Sequence, residues 1–159
     1  MSNHITNHDF DFLFGSWKVH NRRLKERLAG SDEWLEFEST CVARPVWGGA
    51  ANMDEYEALD TPLGEIHGMT LRLYNEAAKQ WSIYWGNRSV GRLDPPMTGA
   101  WSNGRGEFYD QELFHYRMIY VRFTWTNDTP DTARWEQAFS DDGGRTWETN
   151  WIMDFRRAA

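Results

Sequence analysis

The sequence predicts an all-β protein, a single antiparallel up-and-down β-barrel of about ten strands. Three observations carry this. Short runs that alternate apolar and polar residues recur along the chain, separated by turns bearing Gly, Asn and Asp. No stretch has the apolar spacing of a long amphipathic helix. Finally, so many strands in one domain of 159 residues leave little mass to cover two open sheet edges, so the sheet is expected to close on itself.

The elements follow in order. Residues 1–9 are polar and read as a flexible tail, leaving residues 10–159 as the single barrel domain. Phe10, Phe12, Leu13 and Phe14 suit a short N-terminal helical plug packed beneath the sheet. The first strand spans residues 17–28, with a charge-rich outer half, and the second residues 34–43, broken by Pro45 and then Gly48-Gly49. A third strand covers 51–59. The fourth, 65–74, sets Met69, Leu71 and Leu73 on one face and Thr70, Arg72 and Tyr74 on the other. The fifth puts Trp81, Ile83, Trp85 and Asn87 on one face. Residues 88–96 form the longest irregular stretch, either an ordinary connection or the rim of a mouth. Strands six and seven, 97–102 and 107–113, flank Asn103-Gly104-Arg105-Gly106. The eighth, 118–125, points Ile119, Val121, Phe123 and Trp125 inward.

The clearest local signal is the last hairpin, residues 134–155. RWEQAFS and TWETNWIMDF flank DDGGR, whose adjacent glycines suit a tight turn. In the second run Trp147, Thr149, Trp151, Met153 and Phe155 share one face. Glu148, Asn150, Asp154 and Arg156 share the other, and Ile152 breaks the pattern.

Composition narrows the function classes. A net charge of −7 repels nucleic acid and anionic lipid, so neither nucleic acid nor membrane is expected as a partner. The one cysteine, Cys41, allows no internal disulfide and reads as a buried thiol. The N-terminus has no apolar signal segment and no run approaches a membrane span, so a cytoplasmic protein is expected. Ten Trp, nine Phe and six Tyr are more aromatic surface than a core this small needs, and such rings also line ligand cavities.

Two motifs carry resemblances. Gly15-Ser16-Trp17 opens the first strand and resembles the Gly-x-Trp signature of lipocalins, members of the calycin group of barrels. That resemblance implies that Trp17 closes one end of the barrel, with Arg156 or Arg157 packed over it. In layout the whole chain resembles an uncharacterised bacterial group of calycin-like barrels, which open on a Phe- and Trp-rich segment and close on a Ser-x-Asp-x-Gly-x-Thr-Trp hairpin. This implies a lipocalin-like fold without implying an activity. The segment Ser140 to Trp147 also resembles the Asp-box of sialidases. There Asp142 is expected to accept backbone N–H bonds, Gly144 to take positive φ, and Trp147 to pack beneath. One copy in 159 residues cannot make a six-bladed propeller.

If the apolar face of each strand points inward, the lumen is lined by Trp85, Asn87, Phe123, Trp125, Trp135, Gln137, Trp147, Trp151 and Met153. Aromatic walls with a few amides suit a small apolar or amphipathic molecule, oriented by Asn87 and Gln137. His67 and Arg88 are placed at the mouth, where they would meet a carboxylate or phosphate. The other reading of the same rings is a barrel filled solid. The opposite faces carry Arg72, Tyr74, Tyr84, Tyr120, Arg122 and Glu136, as outward ladders or a homodimer surface. A one-residue register error would instead make them the interior. The chain would then be an enzyme of cyclase, isomerase or decarboxylase type, by analogy with other calycin barrels, needing His20, His67, Arg72, Tyr84, Arg122 or Glu136 around one cavity. No cofactor or metal is expected. Nucleotide and Cys/His metal motifs are lacking, and the last histidine, His115, falls in a loop rather than on an inward strand position where haem would need it.

Overall fold

A computed structural model describes residues 7–158. Its strands are β1 (Gly15–Leu24), β2 (Trp34–Val46), β3 (Ala51–Ala58), β4 (Ile66–Asn75), β5 (Gln80–Asn87), β6 (Arg92–Leu93), β7 (Met97–Ser102), β8 (Arg105–Phe114), β9 (Arg117–Thr129), β10 (Thr132–Ser140) and β11 (Glu148–Arg157). Ten of them form a ring of antiparallel neighbours, closed where β11 pairs with β1 through Val19 and Phe155, and where β4 pairs with β5 through Thr70 and Trp85. The two-residue β6 pairs with β5 beside β7. Among the described strands, closure leaves an unpaired side on the two-residue β6 alone.

Among the described residues there is no α-helix. The expected helical plug is one 3-10 turn, Asp11–Leu13, which buries Phe10 and Leu13 in the closed end. Phe10 meets Trp81 and Trp101 edge-on, at 4.9 and 5.4 Å between centroids. The Trp17 indole Nε1 donates to Leu13 O at 2.7 Å, and Trp81 Nε1 donates to Asp9 at 3.0 Å. The part of the expected tail that covers residues 1–6 lies outside the described residues.

Several boundaries differ from the sequence reading, among them the end of β9, which runs on to Thr129. β1 ends at Leu24, four residues early, and residues 25–33 form the connection. β2 continues through Pro45 to Val46, and the chain turns instead at Trp47 and Gly48, both at positive φ. The long stretch 88–96 is tied back to β5 by β6 and by Asp94 N donating to Trp85 O at 2.8 Å.

Strand parity is regular in β5, β9 and β10 and is corrected in two others. In β4 the inward residues are Thr70 and Arg72, both buried, while Met69 is exposed. Arg72 is drawn inside because a buried carboxylate, Asp54 on β3, awaits it there. In β11 the partner of Gln137 is Trp151, but the partner of Ala138 is Thr149. Asn150 is the extra residue of a β-bulge, and the alternation flips across it. Trp147 therefore lies on the outer face, against Tyr109 and Arg122. Asn150 is fully buried rather than outward, its Oδ1 accepting from Gln137 Nε2 at 2.9 Å.

The Asp-box turn forms as its residues dictate. Gly143 and Gly144 take φ of 76° and 86°. Asp142 Oδ1 accepts from Thr146 N at 2.9 Å and from Ser140 Oγ at 2.8 Å. The Thr146 hydroxyl, which donates to Oδ2, and then these bonds favour the charged form and hold the Asp142 carboxyl well below the usual range.

Candidate functional site

An eight-stranded barrel is just filled by its own side chains, and ten strands enclose more. The surplus here is a cavity of about 340 Å³. Trp85 from β5, Trp125 from β9, Trp135 from β10 and Trp151 from β11 wall it, with Phe123, Met97, Ile83 and Met153 between them. The rings meet edge to face rather than stacking shut. Trp135 and Trp151 lie 6.0 Å apart at 81°, and Phe123 and Trp135 4.9 Å apart at 62°.

Two features the sequence reading missed hold these rings in place. Asn21 is completely buried. Its Oδ1 accepts from Trp151 Nε1 at 3.1 Å and from Tyr56 Oη at 2.8 Å, and its Nδ2 donates to Ser39 Oγ at 2.9 Å. One amide thus fixes two rings from different strands. Gly68 leaves room for the Trp85 indole: a Cβ there would lie 1.9 Å from Trp85 Cη2. The only sequence signal for either is a small or polar residue at an inward-parity position.

The inner end of the cavity is polar. Arg72 donates to Asp54 Oδ2 at 2.6 Å and to Asn52 Oδ1 at 3.0 Å, and its guanidinium lies 5.1 Å from the Phe10 ring centre and 5.7 Å from that of Trp125. Cys41 lines the same region, and burial, with Asp54 nearby, pushes its thiol well up. Burial likewise pushes Tyr56 up to about 12. Both groups stay neutral at physiological pH, so neither is a ready nucleophile. Toward the mouth, Arg23 lies 5.6 Å over Trp151. Asp94 and Glu112 complete the rim, and burial, with Asp110 and Asp94 close by, raises the Glu112 carboxyl.

Of the eleven residues the sequence placed in the lumen or at its mouth, eight line this cavity: Trp85, Asn87, Phe123, Trp125, Trp135, Gln137, Trp151 and Met153. Three do not, Trp147 being turned outward by the bulge. His67 falls on the outer face of β4, 3.0 Å from Glu65 and 3.8 Å from Glu57, because the parity of that strand is opposite to the one its apolar residues suggested. Arg88 is exposed on the turn after β5. The groups an acid–base site would need are dispersed. His20 sits outside between Glu36 and Glu38, Arg122 covers Trp147, and Glu136 lies 3.9 Å from Arg134 on the outer wall. Only Arg72 of that set lines the lumen. Among the described residues, no group of three or more His, Cys, Asp or Glu is placed to hold a metal.

No protein-family model and no curated sequence matches this chain. Solved structures do match, by fold alone. The S-type phycobiliprotein lyase of Guillardia theta superposes with a TM-score of 0.61 at 11% identity, over 94% of this chain and 90% of the lyase. A de novo designed fluorescence-activating β-barrel gives 0.51 at 12% identity, over 96% of this chain and all of the design. A redesigned β-barrel bound to DFHBI gives 0.50 at 14% identity, over 92% and 99%.

Proposed function

We propose that this chain is a calycin-like binding protein that holds a small apolar or aromatic molecule in the barrel lumen. The observation that carries the reading is the cavity itself: about 340 Å³, walled by four tryptophans and kept open by the Asn21 bonds. Apolar walls with few, fixed polar groups are the general form of a small-molecule site. The barrels of similar fold include one with DFHBI bound, which supports the same use of this lumen. The dispersal of His20, His67, Arg122 and Glu136 leaves the enzymatic alternative without its constellation.

Tryptophan emission tests this. Titration with prodan and with Nile red, two uncharged planar fluorophores, should give a saturable quench or blue shift at one-to-one stoichiometry. Replacing Trp151 or Trp135 by Leu should weaken binding without unfolding the barrel. Emission that stays unchanged through both titrations would remove the proposal.

A further inference from the structure

Among the described residues of the lumen wall, Arg72 is the fully buried cation, with 3% of its surface exposed. A guanidinium has five N–H donors. Asp54 and Asn52 take two of them. Of the rest, the donor on Nε is enclosed with no partner, and the others belong to Nη1 and Nη2. Phe10 and Trp125 hold the group from the sides, so its orientation is set before any ligand arrives. The enclosed Nε is out of a ligand's reach, so the spare Nη donors of this lining residue are the ones an incoming acceptor would meet, and a bond to them offsets the cost of burying an unmet donor.

The charge of the site decides which acceptor. Asp54 lies 2.6 Å from Arg72 and already balances it. The remaining charged lining residues are Arg23 against Asp94 and Glu112. The cavity therefore offers an anion no net positive field, and a carboxylate entering it would lose its hydration without compensation.

We propose that the lumen selects an uncharged, planar molecule carrying a hydrogen-bond acceptor, a carbonyl oxygen or a ring nitrogen, which accepts from Arg72 at the inner end while its ring system lies among Trp85, Trp135 and Trp151. The inference rests on the lumen being a binding site, and it adds the chemical class of what binds.

Three probes of one shape separate the two claims: 2-acetylnaphthalene, 2-ethylnaphthalene and 2-naphthoate, titrated calorimetrically into the whole chain. The ketone should bind about tenfold more tightly than the hydrocarbon, the worth of a bond to a charged donor. The naphthoate should bind more weakly than the ketone. In the double variant Arg72→Met with Asp54→Leu, which leaves neither charge buried alone, ethylnaphthalene should still bind and the ketone preference should vanish. Equal binding of ketone and hydrocarbon, tighter binding of naphthoate, or a ketone preference that survives in the double variant would overturn the selection while leaving the lumen a binding site. Failure of all three probes would overturn both. The ranking on the native chain needs no variant and decides even if the double variant does not fold.

Discussion

The guanidinium carbon of Arg157, in the last strand, sits 4.1 Å from the ring centre of Trp17, in the first. Arg157 also donates to the carbonyls of Phe14 and Phe12, each at 2.8 Å. Gly15 makes this possible. Its φ is 112°, and a Cβ there would lie 2.7 Å from Arg157 Nη1. The N-terminal turn and the first strand are thus tied to the last strand.

Replacing Arg157 by Ala removes a cation–π contact and charge-assisted bonds to three carbonyls, those of Phe12, Phe14 and Pro130. It should lower stability by about 2–3 kcal/mol. Urea denaturation followed by near-ultraviolet circular dichroism measures this. A change below about 0.5 kcal/mol, typical of a plain surface position, would contradict the clamp.

Asn21→Leu strands the Trp151 indole N–H, the Tyr56 hydroxyl and the Ser39 hydroxyl in the wall. The expected loss is about 2–4 kcal/mol. Ligand affinity should fall as well, since Trp151 is no longer held. A variant of native stability with unchanged Trp emission would show that the amide does not position the rings.

Cys41 should be inert while the barrel is folded. Burial keeps it protonated and shielded, so dithionitrobenzoate at pH 8 should react only on unfolding. Rapid stoichiometric reaction of the native protein would mean the lumen floor is open to solutes of that size.

Glu112 gives a pH signature. Burial raises its folded pKa above the unfolded value, so the folded state binds more protons than the unfolded state between the two. Stability therefore falls as pH rises from the unfolded value near 4.5 through the raised folded one. Glu112→Gln should raise the melting temperature at pH 7 and have no such effect near pH 4. Melting curves at both values, compared with the native chain, test the sign.

The strand positions were legible because turns and period-2 runs are local. Ile119, Val121, Phe123 and Trp125 read inward and are inward, since on β9 apolar residues and lumen-facing residues coincide. The Arg157–Trp17 contact was legible from the Gly-x-Trp resemblance. The inner wall of β4 was not, because hydrophobicity alone sends Arg72 outward. Only a carboxylate on the neighbouring strand, Asp54, makes its burial favourable, and that pairing is a tertiary fact. His67 was misplaced by the same error. Trp147 was misplaced for another reason: the bulge at Asn150 inserts one residue into the run, and the one irregularity visible in the pattern, Ile152, does not locate the flip.

Crystals grown with saturating 2-acetylnaphthalene give the most direct measurement. The account expects planar density inside the barrel, bounded by Trp135 and Trp151 and reaching toward Arg72. A lumen without ligand density, or ligand held only in the outer groove between Tyr109 and Trp147, would contradict it.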